Sequence, residues 1–503
     1  MKRYISGYDR FLYLVFCSLI SVVLFFAVLG DALPSLWGSY NDQRILLLLF
    51  IWLIPLAVLS VWFFRSPSTG TLYSLLWLVP TVVVFASGEL YKAEFGVEPL
   101  FFVFYFTSVG LLGSFLVDKN YLESFIDLLL FIAGIIAFLY SAVSLMIYGF
   151  ALSDGVTELY KHIPWGVPQY RYWSHLATWM LPLMPLMANQ SYLRNSILWK
   201  VLITLTAGVW WWIIFLSMAR GSAIAILVGG LVVLLLFRKG ALTWLKSSLL
   251  YLVLGAILWL VLSTLLPNLL LGDLSLHTVH ASTSGRTPQW VEAFTMSLEN
   301  FPFGMGPQSW ITHTALTDAY GDSYRWGHPH NMYLLWAAEY GWICILALAL
   351  VFCKSGSRVL MLARETRLTK MDSMILVGFT SSVIGALTHA GVSAVFMGPA
   401  SMLVGLLILS AFWALVNLDQ GSSPEPSCRR GKWGLKSAWM LSLVLVLVLG
   451  GWWAGEIRAY YSAMVEDSEG YTKGGRVPAF ALPRFWLHGD FPRGPRQDLI
   501  REE

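Results

Sequence analysis

Apolar runs long enough to cross a bilayer recur along almost the whole chain, and that recurrence limits the fold more than any other feature. "ILLLLFIWLIPLAVLSVWFF" (Ile45 to Phe64) and "AIAILVGGLVVLLLF" (Ala223 to Phe237) are two examples, set against the roughly 20 residues that a helix needs to span the hydrocarbon. The runs are continuous, whereas a closed barrel needs alternating segments of about 10 residues. Helices are then the remaining way to satisfy the backbone in lipid. Composition agrees: 57% of the 503 residues are hydrophobic and 12% charged, against about 25% charged in soluble domains. The expected fold class is an all-α integral membrane protein, a polytopic bundle of 12–13 transmembrane helices.

Hydropathy places candidate spans near 11–30, 45–64, 71–87, 99–116, 124–149, 175–189, 197–217, 222–237, 248–266, 331–352, 373–390, 399–417 and 437–454. This divides the chain into amino-terminal helices (1–266), a large loop (267–330), carboxy-terminal helices (331–454) and a polar tail (455–503). The first run has no small-residue cleavage motif behind it and is expected to stay as an uncleaved helix. With the amino end in the cytoplasm, "FRKG" (Phe237 to Gly240), "CKSGSRVLMLARETRLTK" (Cys353 to Lys370) and "CRRGKWGLK" (Cys428 to Lys436) fall inside. That satisfies the positive-inside rule and puts the 267–330 loop outside. The net charge of +4 is scattered through short loops, so no nucleic-acid partner is expected. Cys17, Cys344, Cys353 and Cys428 show no CxxC or zinc spacing and receive no chemistry.

The loop is too long for a mere connection. "SGRTPQWVEAFTMSLENFPFGMGPQSW" (Ser284 to Trp310) holds a helix start at Ser284 or Thr287, with Pro288 in the first turn and Trp290, Ala293, Phe294 and Leu298 at helical spacing. A Pro-Phe-Gly-Met-Gly turn then ends it.

On that same side lie the charges that ask for a partner. Arg220, in "FLSMARGSAIAIL", sits between two apolar runs with no carboxylate nearby, and an interfacial arginine costs about 2.5–3.5 kcal/mol on insertion scales. It reads either as a snorkelling loop residue or as a fixed cation for an anionic ligand. Gly221 permits a tight turn there and Ser222 is placed to cap the next helix. Arg286 precedes the loop helix, where free N–H groups also favour anions. Paired with Arg220 it supplies half of a diphosphate clamp, since guanidinium forks match phosphate. Arg171 in "PQYRYWSH" and Arg325 in "SYRWGHPH" fit two roles, joining the clamp or stacking at the interface.

In "GHPHNMYLLWAAEYG" (Gly327 to Gly341), Pro329 fixes the chain and Asn331 can cap the helix that follows. His330 is thereby held at a helix amino end, where the dipole favours the neutral imidazole that can take a proton from a hydroxyl. His328 fits the same role or a supporting one. Asp318 and Asp322 near these histidines would be needed for a cation site, but no HxxxH or DxD element marks one. No metal and no cofactor is expected.

"MARGS", then "SGR" before a tryptophan and "PFGMG", then "HPHN" with "EYG" downstream resembles the O-antigen ligase and O-antigen polymerase superfamily of bacterial envelope glycosyltransferases. The ligase signature of histidine, a small amide or hydroxyl residue, nine residues and Gly-x-x-Gly is met by His330, Asn331 and Gly341, while Cys344 stands at the final glycine. The resemblance implies a GT-C-like enzyme of the bacterial inner membrane, with short helices in a large periplasmic loop and its active site facing the periplasm. It implies a donor polysaccharide on undecaprenyl diphosphate and, for a ligase, a lipid A-core acceptor. By the same resemblance Arg220 and Arg286 hold the donor diphosphate and His330 is catalytic, with Arg171, Arg325, His328 and Asn331 as further substrate-binding candidates. Transfer would be inverting and metal-independent. A polymerase joining lipid-linked repeat units and a protein oligosaccharyltransferase share that donor site. A polytopic transporter is the alternative from another class, although it would normally carry repeated halves and polar breaks near the midplane.

Overall fold

The computed structural model describes residues 7–33, 40–64, 67–88, 97–118, 121–167, 170–272, 285–323, 326–364, 370–418 and 432–474. Among these, the long elements are all helical and there is no strand. In chain order they are α1 (Gly7–Leu29), α2 (Tyr40–Phe64), α3 (Thr69–Leu76), α4 (Val79–Ser87), α5 (Val97–Asp118), α6 (Leu122–Ser153), α7 (Tyr170–Met180), α8 (Met184–Gln190), α9 (Ile197–Leu216), α10 (Arg220–Phe237), α11 (Leu242–Leu258) and α12 (Leu266–Leu271). Three helices of the large loop follow: α13 (Arg286–Glu299), α14 (Ser309–Thr312) and α15 (Asp318–Gly321). The chain returns to the bundle as α16 (Met332–Arg364), α17 (Lys370–Ala390), α18 (Pro399–Val416) and α19 (Lys432–Gly474).

Eleven helical stretches among the described residues are long and apolar enough to cross a membrane, and the polytopic all-α expectation holds. One of them, Arg220–Leu271, is folded back on itself. Arg238 takes φ 48° and a 3-10 turn over Arg238–Ala241 separates α10 from α11. The segment expected at 175–189 is helical too, but a 3-10 turn at Leu181–Leu183 breaks it into α7 and α8. Helix α19 continues to Gly474, past the expected end of the last span near 454. Residues 475–503 of the expected tail lie outside the described residues, as does Cys428.

Small residues let the central helices approach closely, as membrane bundles require. A Cβ on Gly229 of α10 would stand 2.5 Å from the Ser381 carbonyl oxygen of α17. The α10–α17 contact matters for function because its upper end carries Arg220. At the centre α18 is buried along its length, packed on α5, α7 and α17.

A buried carboxylate ties the helices of the large loop together. Glu292 accepts hydrogen bonds from the backbone N–H groups of Leu316 (2.6 Å) and Thr317 (2.9 Å) and pairs with His313 Nε2 at 2.9 Å. Burial alone would raise its pKa, but these donors more than offset burial and hold it below the ordinary value of 4.5. The turn after α13 is locked to α16. Gly341 takes φ 81° and ψ 172°, which interrupts α16, and Met305 and Gly306 donate to the freed carbonyls of Ala338 (2.8 Å) and Glu339 (2.9 Å). The two backbones nearly touch: a Cβ on Gly304 would lie 2.5 Å from Gly341 N, and one on Gly341 would lie 2.0 Å from Pro302 O. The Pro-Phe-Gly-Met-Gly turn and the glycine of "EYG" are therefore two halves of one joint. Cys344, one turn further, is buried in the core.

Candidate active site

The amino end of α16 holds the two histidines. Asn331 caps it, its Oδ1 accepting from Tyr333 N (3.0 Å) and Leu334 N (3.1 Å), so this side chain is engaged in holding the helix start. His330 precedes the cap with φ 55°, a conformation uncommon outside glycine. Its N–H donates to His328 Nδ1 at 2.9 Å, which fixes the turn and assigns His328 the tautomer protonated on Nε2. The two rings stand 4.3 Å apart and Trp326 meets the His330 ring edge-on at 4.4 Å.

His330 is 5% exposed, and among the described residues neither of its ring nitrogens has a hydrogen-bond partner. Buried polar atoms are nearly always paired, so an imidazole left open on both nitrogens points to a ligand. Its pKa is driven far below the usual 6.5, first by burial, then by His328, Arg171, Arg286 and His175. The sequence suggests the same direction from the helix dipole; the structure assigns it to desolvation and to surrounding cations. The imidazole is neutral at physiological pH.

Two arginines, Arg171 and Arg286, act on this imidazole from two elements, and a third, Arg220, acts on Arg286 from another. Arg171, in the first turn of α7, lies 5.6 Å from the Trp326 ring centroid and 5.8 Å from that of Tyr170, so stacking and clamp membership are compatible. Arg286 is the first residue of α13, set by Gly285 at φ 67°. It is half-buried, its Nε has no partner among the described residues, and burial together with Arg171 and Arg220 lowers its pKa. Like charges this close repel one another unless an anion joins them. Arg220 begins α10 and is exposed. Arg325 lies outside the described residues.

Two details around Arg220 differ from the sequence reading. Gly221 does not make a turn; a Cβ there would stand 3.2 Å from both His389 Nε2 and Val392 Cγ2, so the glycine lets α10 meet the end of α17. Ser222 does not cap α10, whose cap position is Ala219; its hydroxyl donates to Ser174 O at 3.0 Å and ties α10 to α7.

His389 and His175 were not singled out by sequence reasoning. Their rings are 5.0 Å apart. Thr178 donates its one hydroxyl proton to Ser174 O (2.9 Å), so its contact with His389 Nδ1 (2.9 Å) must be accepted from an Nδ1–H. In a neutral imidazole that leaves the Nε2 lone pair directed at the α10 amino end. His175 Nε2 meets Ser393 Oγ at 2.7 Å. The signal available in the sequence was position alone: "RYWSH" and "LTHAG" both lie at span ends that helix alternation puts on the side of Arg220 and His330.

Asp318 and Asp322 do not turn these histidines into a metal cluster: among the described residues no group of three or more His, Cys, Asp or Glu is disposed to hold an ion.

Bundle and site together define a multi-pass membrane protein that gathers guanidinium groups and a neutral imidazole at one end of its helices, a setting for an anionic, membrane-borne ligand. Residues 204–349 match the family described as O-antigen ligase, and that match supports the O-antigen ligase and polymerase superfamily. Members of that family are glycosyltransferase-like enzymes of O-antigen processing. The matched region contains Arg220, Arg286, His328 and His330, whereas Arg171, His175 and His389 lie outside it and join the site through the fold. No match was found among curated proteins or among solved structures.

Proposed function

We propose that the protein is an O-antigen ligase: it transfers a polysaccharide from undecaprenyl diphosphate to the lipid A-core oligosaccharide, at the periplasmic face of the bacterial inner membrane. The observation that carries this reading is that Arg171 and Arg286 both act on a buried imidazole, with Arg220 close enough to Arg286 to act on it in turn. A lipid-linked diphosphate carries negative charge complementary to these arginines, and its lipid tail fits a site at helix ends. The basic turn at Arg238 and Lys239 closes the opposite end of α10, which supports a periplasmic position for the site.

In the proposed reaction an acceptor hydroxyl oxygen bonds to the anomeric carbon as the bond from that carbon to the phosphate oxygen breaks. The electron pair goes to the diphosphate, whose growing charge the arginines stabilise. The hydroxyl proton passes to a ring nitrogen of His330. Attack opposite the leaving group inverts the anomeric centre. The cations around His330 make it a weak base; a bound donor's negative charges oppose them and raise its proton affinity when it is needed.

The test is to supply purified wild type and His330→Ala with undecaprenyl-diphosphate glycan and either lipid A-core or a second lipid-linked repeat, with divalent metals chelated, and to separate products on a gel. Capped lipopolysaccharide from wild type, reduced about 10²–10⁴-fold in His330→Ala, is the expected result. A ladder of lengthened lipid-linked chains would make the enzyme a polymerase. No product from folded protein with either acceptor would favour the transporter.

A further inference from the structure

Helix α13 is inside-out for an element that faces water. Its buried face is Gln289, Glu292, Ala293, Met296 and Ser297. Its opposite face runs through Val291, Phe294 and Leu298, at 48%, 47% and 50% exposure, and continues into Phe301 and Phe303 at 63% and 55%. The spacing of 291, 294 and 298 is a single helical stripe. Gln289, Glu292 and Ser297 are turned inward beside Ala293 and Met296 while Val291, Phe294 and Leu298 are turned outward, a stripe that fits an apolar medium better than water.

Depth gives the medium. Helix α13 packs along α16: Phe294 meets the Trp342 ring at 6.4 Å, and the Trp342 indole N–H donates to Ser297 Oγ at 3.2 Å. The first charged residue of α16 after Trp342 is Lys354, whose ammonium sits over the rings of Trp77 (4.9 Å) and Tyr73 (5.8 Å), the aromatic and basic pairing of a membrane boundary. Lys354 lies twelve positions after Trp342, about 18 Å along the helix at a rise of about 1.5 Å per residue. A hydrocarbon core is about 30 Å thick, so Trp342 and the helix packed on it lie below the far surface, inside the apolar slab. The exposed stripe of α13 is also continuous with exposed Leu346 and Leu350 of α16.

We infer that α13 and the turn after it are not a solvent-side loop but a re-entrant amphipathic element embedded in the leaflet on the site's side of the membrane, with Val291, Phe294, Leu298, Phe301 and Phe303 in contact with lipid hydrocarbon. Backbone at that depth is tolerated because the turn is bonded to α16 at Ala338 and Glu339. Arg286, at the amino end of this element, is thereby presented from within the bilayer surface.

The test uses the full chain in phosphatidylethanolamine and phosphatidylglycerol liposomes, with its four native cysteines replaced and a nitroxide placed in turn on cysteine at Phe294, Leu298 or Phe303. Collision with oxygen is expected to exceed collision with a water-soluble nickel chelate severalfold, as for a label at Leu346 and opposite to one at exposed Thr314. Labels at 294 and 298 behaving like Thr314 would overturn the inference, and so would labels shielded from both agents, which would mean a second copy covers the stripe. If labelled variants fail to fold, the unaltered protein answers the same question: a photoactivatable phospholipid whose carbene is borne on the acyl chain should modify the peptide spanning 286–303, and an unmodified peptide beside a modified α16 would refute embedding. Neither readout depends on the transferase reading.

Discussion

At the scale of single residues, the site is a concentration of positive charge around a neutral base. Arg171 is one of the groups that lower the His330 pKa, so removing its charge must raise that pKa. Arg171→Gln is expected to move the acid limb of the kcat profile, which reports the donor-bound enzyme, to higher pH, because the imidazole then takes its inactivating proton more readily. An unmoved limb in a rate profile from pH 5 to 8 would separate Arg171 from the base. His389 offers an acceptor through Nε2 while Nδ1 is tied to Thr178, and is assigned as a positioning residue at the α10 amino end. Glutamine, whose amide oxygen reaches about as far, should retain donor affinity better than leucine, so His389→Leu should raise the donor KM with kcat less affected than in His330→Ala. The proposed clamp and base residues were legible one by one because charge in an apolar chain is costly. His389 was not, because a histidine at a span end carries no signal until the bond that fixes its tautomer is seen.

At the scale of elements, the joint between the post-α13 turn and α16 sets the distance between Arg286 and His330, which lie on its two arms. Gly341 is the hinge of that joint. Gly341→Ala adds a Cβ 2.0 Å from Pro302 O at φ 81°, a conformation that costs an L-residue about 1–3 kcal/mol before the clash is counted. A lower thermal midpoint in detergent and loss of most transfer activity are expected; an unchanged midpoint would show that the joint yields freely. The sequence shows both motifs, "PFGMG" and "EYG", and leaves their pairing unstated. Their 37-residue separation, from Gly304 to Gly341, is bridged only by tertiary hydrogen bonds. The same holds for α13: helical spacing marked Phe294 and Leu298 as apolar positions, but which face is buried depends on Glu292 finding Leu316 and Thr317.

At the scale of the whole molecule, alternation of the spans puts Arg171, Arg220, Arg286, His330 and His389 at one end and Arg238, Lys239 and Lys354 at the other, and the contacts among the first group agree with that alternation. Cysteine at Lys239 should react with a membrane-impermeant thiol reagent only from the cytoplasmic side of oriented vesicles, and cysteine at Thr314 only from the opposite side. Labelling of both from one side would break the topology on which a periplasmic site rests.

The sequence alone determined that the chain is a helical membrane bundle, because unbroken apolar runs leave the backbone no other way to close its hydrogen bonds in lipid. It also marked Arg220, Arg286 and His330, since each is too polar for its surroundings to be neutral in effect. Tertiary structure decided what those residues face: it brought Arg171, His175 and His389 to them from α7 and α17, buried His330 with both ring nitrogens unpaired among the described residues, and turned Gln289, Glu292 and Ser297 of α13 inward. Those outcomes depend on distances between helices far apart in the chain, and packing, not local pattern, fixes such distances.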